Sequence, residues 1–167
     1  MKRDDVYIKG ANFIDPCGNT GCAMAGATGT MSRHIGIIWI RGINLVVPVG
    51  LEKLIATPMD VAVEEAASDR ADMSLGRPIG LLPYGKATVI TELEAIKILT
   101  GATAIHIESG GIAGAEGCVA LVIKGSEDQV KKAFNLVKSI KGTKLPEHTS
   151  ERIRLYKDYT KKRKARG

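Results

Sequence analysis

Apolar positions along this chain change period several times, and each change marks an element. Val6-Tyr-Ile8 is a short strand-like run, and Asn19 to Met24 forms a second extended stretch behind Gly18. From Thr30 or Ser32, either of which suits a helix N-cap, apolar residues recur at helical spacing to about Ile40, and Arg41-Gly42 supplies the stop. Leu45-Val-Val-Pro-Val49 predicts a buried strand, in which Pro48 lacks a ladder donor and marks a sheet edge or strand end. Pro58 opens a further helix to Ala67. Strand, helix and strand in this order predict a right-handed parallel crossover.

Residues 68–87 carry Gly76, Pro78, Gly80, Pro83 and Gly85, the punctuation of a linker between two packing units. Beyond it, Thr88 to Ile90 starts a strand or leads directly into a helix from Glu92 to Leu99, which ends at Thr100-Gly101. Thr103 to Glu108 and Cys118 to Lys124 are predicted strands separated by a glycine-rich loop, Ser109 to Gly117. Ser126 caps a helix from Glu127 to about Ile140, with Val130, Ala133, Phe134 and Val137 at core spacing and two acids in the first turn. Helix, strand, strand, helix with antiparallel strands predicts a ferredoxin-like unit. The expected fold class is therefore α/β: a Rossmann-like parallel crossover over residues 1–75, a ferredoxin-like α+β unit over 76–145, and a basic C-terminal helix or tail over 146–167.

Composition fits a folded chain of 167 residues, at 44% hydrophobic and 25% charged, and an aromatic content of 4% makes its core aliphatic. The apolar run Ile35 to Ile40 falls far short of the roughly 20 residues that span a bilayer, and the charged start Met1 to Asp5 lacks a signal peptide's apolar segment. A cytoplasmic protein with no membrane partner is expected. Three cysteines make no disulfide framework and fit a reducing compartment. A zinc site would need three or four of Cys17, Cys22, Cys118 and His34 to converge, and their spacing is no recognised ligand pair, so no metal is expected. The cysteines are read as buried or inert thiols, with a Cys22 nucleophile assisted by His34 as the functional alternative.

The net charge of +6 changes the picture less than it first promises. Residues 151–167 hold eight basic and two acidic residues, so the tail carries the whole excess. Such a run can grip a phosphate backbone by counterion release, but a solvated helix end is the favoured expectation, and a nucleic-acid partner is not. Tyr156 and Tyr159, at helical spacing with Ile153 and Leu155, are expected to dock the tail rather than stack bases.

Candidate chemistry concentrates in the first third. Gly26-Ala-Thr-Gly-Thr30 lies just before a helix start, where unpaired N–H groups and the helix dipole favour a phosphate or carboxylate. Thr28, Gly29 and Thr30 would cradle such an anion, and Arg33 would add a bidentate grip. His34 has two readings, a contact with that anion or a helix-surface residue. Lys9 and Lys53 fall at or just beyond strand ends, where open α/β sheets place ligands, although Glu52 stands ready to neutralise Lys53. The loop Glu108 to Glu116 is expected to be a plain hairpin turn rather than a lid, and His106 a solvent-face strand residue.

Asp5-Val-Tyr-Ile-Lys-Gly-Ala-Asn-Phe-Ile-Asp15, followed by Gly18-Asn19, resembles the strand and loop that carry an Asp-Gly-Ala-Asp-Glu motif in ribose 5-phosphate isomerase type A. Val46-Val-Pro-Val-Gly-Leu-Glu-Lys53 is similar to the strand ending in a Ser-Lys pair in that family. Related families include CoA transferases, glucosamine 6-phosphate deaminases and lactate-utilisation proteins, the last with an Asn-Ala loop and a Gly-Thr-Gly-Asn-Arg turn comparable to Asn12 and Thr28-Gly-Thr-Met-Ser-Arg33. The resemblance covers residues 5–55 and implies binding of a small anionic metabolite, with Asn12, Asp15 and Asn19 positioning polar groups. It also implies a departure: Lys9 and Asn12 stand where the isomerases have proton-transfer acids, and an ammonium or an amide cannot act as their carboxylate base. Asp15 and His34 are then the candidate acid–base groups, and the family's N-terminal phosphate loop is missing. A shortened sheet leaves an edge that favours a homo-oligomer. Separately, residues 91–140 resemble a bacterial microcompartment shell domain in layout, which implies an oligomeric scaffold in place of catalysis. The expected function is binding of a phosphorylated sugar, CoA ester or other small anion at the Gly26–Thr30 turn. The scaffold and a tail-borne nucleic-acid binder are the alternatives, and the residues leave both the cofactor and the question of catalysis open.

Overall fold

The computed structural model describes residues 1–2, 4–25 and 29–143. Residues 1–133 form one compact unit and residues 134–167 a second, of which 134–143 are described.

The first unit is built around a three-stranded parallel sheet in the order β1 (Val6–Ile8), β4 (Asn44–Pro48), β6 (Thr88–Ile90). Val6 pairs with Asn44 and Val46 with Thr88, so the β-branched run of β4 lies in the middle, where both of its neighbours bond it. Helix α1 (Thr30–Arg41) makes the β1-to-β4 crossover and packs Met31 and Ile38 against Leu45 and Val47 of the sheet. It ends as predicted: Gly42 takes the left-handed conformation at φ 62°, and Ile43 N–H reaches back to the Ile38 carbonyl. The parallel crossover and the α/β class are thus as the sequence predicts.

A second sheet interrupts the crossover. β2 (Phe13–Ile14), β3 (Thr20–Met24) and β5 (Gly80–Pro83) run antiparallel in that order. β5 corrects the linker expected over residues 68–87. Its glycine and proline are tolerated because it is an edge strand with Pro83 as its last residue, where a missing N–H costs no ladder bond. Immediately after it, Tyr84 is fully buried in the same core as Tyr7, Leu45 and Val47. A 3₁₀ turn (Leu51–Lys53) follows β4, and α2 (Met59–Glu65) is shorter than expected, with Pro58 at its N-cap.

The remainder has the predicted order: α3 (Glu92–Thr100), β7 (Thr103–Gly110), β8 (Cys118–Lys124) and α4 (Glu127–Ile140). β6 joins the first sheet, however, so β7 and β8 pair with each other in a two-stranded sheet, not in the four-stranded sheet of a ferredoxin-like fold. β7 runs two residues beyond the expected Glu108, through a bulge between His106 and Glu108. Ile96, Ala102, Ala104 and Ala133 form a second small core under this hairpin. Ser126 and Gln129 cap α4 reciprocally, each side chain bonding the other's backbone N–H. In the second unit, the Lys141 N–H closes the helix on the Val137 carbonyl. Among the described residues, no helix is long and apolar enough to cross a membrane.

Gly21 is the second residue of β3, the middle strand of its sheet, where a Cβ would collide with the Leu82 carbonyl and lie 2.6 Å from the Phe13 ring. Backbone on one side and a buried ring on the other leave no room to relax. Gly21→Ala is therefore expected to lower the unfolding free energy by about 2 kcal/mol, the scale of core overpacking, read as a lower midpoint in urea at unchanged slope.

Candidate functional site

The carboxyl ends of β1, β4 and β6 lead into Lys9-Gly10, Val49-Gly50 and Thr91. α1 starts at this same end, because its C-cap at Gly42 lies just before Asn44, the first residue of β4, and its twelve residues run the length of the sheet. Open α/β sheets place ligands at such an end.

Residues 26–28 lie outside the described residues, and with them Thr28 and most of the glycine turn. What is described is the helix start. Gly29, not Thr30 or Ser32, is the N-cap of α1; it carries no side-chain cap, and the first turn holds no acid. Thr30 has become the first helical residue, and the Ser32 hydroxyl is spent on the Gly29 carbonyl. Among the described residues, the leading N–H groups of α1 therefore have neither a side-chain capping oxygen nor a first-turn carboxylate. Arg33 is exposed on this turn.

His34 is held one turn in. Its Nδ1 lies 2.7 Å from the Thr30 carbonyl oxygen, which can only accept, so Nδ1 carries the proton in the neutral ring and Nε2 keeps a free lone pair. The Tyr7 hydroxyl approaches the same nitrogen at 3.4 Å, and the two rings stack at a tilt, centroids 5.6 Å apart. Behind them, the Tyr84 hydroxyl donates to the Gly10 carbonyl at 2.9 Å and shares a side-chain hydrogen bond with the buried Cys22. Burial first, then Cys22 and Tyr7, pushes the Tyr84 phenol far above its ordinary range, so it stays protonated. Lys9 turns its ammonium to the neighbouring Gly10 carbonyl at 3.1 Å. Tyr7 and Tyr84 escape a sequence reading: Tyr7 looks like one more strand residue, and Tyr84 falls in the segment punctuated as a linker.

Asp15 serves a different centre. It is 2% exposed, and its two oxygens accept from Cys17 N–H, Asn19 N–H, the Asn19 amide and Met59 N–H at 2.8–3.0 Å. Burial alone would raise its pKa, but these donors outweigh it and hold the carboxyl below the usual range. All its acceptor positions are filled, so the carboxylate clamps the β2–β3 turn to the start of α2 and has none left for a substrate proton. Asn19 is part of this clamp. Asn12 accepts the Ala23 N–H through its side chain, bridging β2 and β3, and Lys53 lies 3.8 Å from Glu52. The sequence-predicted residues thus divide: Gly29, Thr30, Arg33 and His34 share one helix start, whereas Asp15 and Asn19 form a separate cluster.

Elsewhere, His106 Nε2 lies 3.0 Å from the Glu108 carbonyl and 2.7 Å from the Ser109 hydroxyl, which in turn donates to the Leu51 carbonyl. A carbonyl acceptor requires a proton on Nε2, so this nitrogen is a donor that ties the bulge to the 3₁₀ turn and not a base for Ser109. Cys17 is exposed, Cys22 buried and Cys118 half-buried, and among the described residues no three His, Cys, Asp or Glu side chains come together as metal ligands would.

The lowered Asp15 pKa fixes a sign. The unfolded chain takes up this proton near pH 3.9 and the folded chain only at lower pH. The stabilisation is complete above about pH 4 and is lost as the pH falls from there through the folded value. Asp15→Asn should cost about 2 kcal/mol at neutral pH and flatten the fall in stability as the pH drops below about 4, measured by urea unfolding across the acid range. Compared with known proteins, the chain matches no family model, no curated protein and no solved structure.

Proposed function

We propose that this chain binds a small phosphorylated or carboxylated metabolite at the N-terminal end of α1, beside the carboxyl ends of β1 and β4. The observation that carries this reading is the helix start, which among the described residues has a glycine N-cap, no side-chain cap and no acid in the first turn of a twelve-residue helix. Arg33 supplies a cation on the same turn, and Lys9 adds a second at the end of β1. If the ligand is turned over, His34 Nε2 is the proton-transfer group, oriented through Nδ1 by the Thr30 carbonyl, since Asp15 is committed to its clamp.

The test is a thermal-shift series with inorganic phosphate, sugar phosphates and CoA esters. A ligand at about a hundredfold its Kd adds roughly 2.7 kcal/mol and raises Tm by about 5–10 °C, and Arg33→Ala should remove most of that rise while leaving the unliganded Tm unchanged. If none of these anions shifts the melt, the reading fails.

Exposed apolar residues favour a second reading, a homo-oligomer. Parallel sheets are ordinarily covered on both faces, yet Val6 and Ile8 of β1 are 55% and 67% exposed, and Ile107 of the hairpin 62%. Light scattering behind size exclusion should return the mass of a dimer or larger assembly, and a monomer at high protein concentration would sink the oligomer. The basic C-terminal run that would carry a nucleic-acid role lies outside the described residues.

A further inference from the structure

A second crevice, of about 540 Å³, opens beside the carboxyl end of β6, and the metabolite reading makes no use of it. Its floor is aliphatic, built by Ile14, Leu51, Leu54, Val89 and Leu93. Its volume falls in the range of small-molecule sites, and apolar walls with a few fixed polar groups are the usual composition of one.

The charged groups that line it are of one sign. Asp15 lines one wall, ionised and buried with its acceptor positions filled. Glu94 stands at the exposed rim. Its Oε2 accepts the Thr91 N–H and hydroxyl in the capping box of α3, and these bonds and Lys97 outweigh a burial contribution that alone would raise its pKa, so it too is held ionised. Among the described residues, no lysine, arginine or histidine lines the crevice. An anionic ligand would therefore face two carboxylates with no cation among the lining residues, Lys97 standing beside Glu94 outside the lining, the reverse of the situation at the start of α1. An ammonium would gain from both, and its apolar body would cover the aliphatic floor.

We infer that this crevice is a binding site for a compact organic amine, with its hydrocarbon portion against Ile14, Leu51 and Val89 and its ammonium at the rim beside Glu94. This site is independent of the anion reading and stands if that one fails. Cys17, exposed at the mouth, offers a chemical reporter for occupancy.

The experiment titrates the full chain with benzylammonium chloride, benzyl alcohol and sodium benzoate at matched ionic strength, following backbone amide shifts in ¹H–¹⁵N spectra. Benzylammonium should move the Gly18, Leu54 and Leu93 amides saturably and slow maleimide labelling of Cys17; benzyl alcohol should do so more weakly, and benzoate not at all. Glu94→Gln keeps the capping box, since glutamine also serves at that position, but removes the charge. It should weaken benzylammonium by about two- to fivefold, as expected for one solvent-screened charge, and leave benzyl alcohol unchanged. Benzoate binding as tightly as benzylammonium, an unchanged benzylammonium affinity in Glu94→Gln, or no saturable shift at those amides with any of the three probes would overturn the proposal. Benzoate shifts confined to Thr30 and Arg33 would report the start of α1 and leave this crevice without the anion, as expected.

Discussion

A buried phenol must find a partner for its hydroxyl, and Tyr84 finds it in the carbonyl of Gly10, just past the end of β1. That bond joins the two sheets of the first unit. Tyr84 follows β5, the edge of the antiparallel sheet, and its ring fills the core under the parallel one. Its own N–H is taken by the Thr20 carbonyl, so the residue is fixed at both ends. The position of Gly10 beside the carboxyl end of the sheet, and with it the mouth of the candidate anion site, follows from this one contact. Few aromatics are available in the chain, and one of its four tyrosines is spent here.

The carboxylates show a parallel economy. Asp15 gathers four N–H groups, Glu92 accepts the Leu51 N–H at 3.0 Å, and Glu94 closes the cap of α3. Each turns a backbone donor that would otherwise be orphaned into a fixed joint between elements. In a short-stranded fold, where β1 and β6 have three residues each, such joints hold the loops that the ladders are too brief to hold. The same use removes these acids from chemistry. Of the two acid–base candidates in the sequence, Asp15 is thereby committed to structure, and His34 Nε2 lies outside these joints.

The helices and long strands were legible because their signals are local. α3 carries its start in Thr91 and Glu94 and its stop in Gly101, and α4 has Ser126 and Gln129, so period and cap agree. β5 was not legible, because Gly80-Leu-Leu-Pro83 has strand character only when the edge of β3 is there to pair with it. The N-cap of α1 was displaced for a related reason: Thr30 and Ser32 both have suitable hydroxyls, yet the chain enters the helix one residue earlier through Gly29. Arg33 and His34 lie in the first turns of α1, where their place after the glycine turn puts them. The role of Asp15 was hidden, since its fourth donor, Met59 N–H, is 44 residues away in sequence.

Two helix starts in one unit then differ in a way that bears on function. α3 is closed by its own residues: Thr91 caps it, and Glu92 and Glu94 place two negative charges in its first turn, so the positive end of its dipole is already answered. α1 has a glycine at its cap and Arg33 and His34 in place of acids. A chain that sought only helix stability would treat both ends alike, because an N-cap oxygen contributes about 1 kcal/mol wherever it is placed. The two helix starts are therefore opposite in electrostatic character, with a glycine cap and no first-turn acid at α1 and a hydroxyl cap with two carboxylates at α3.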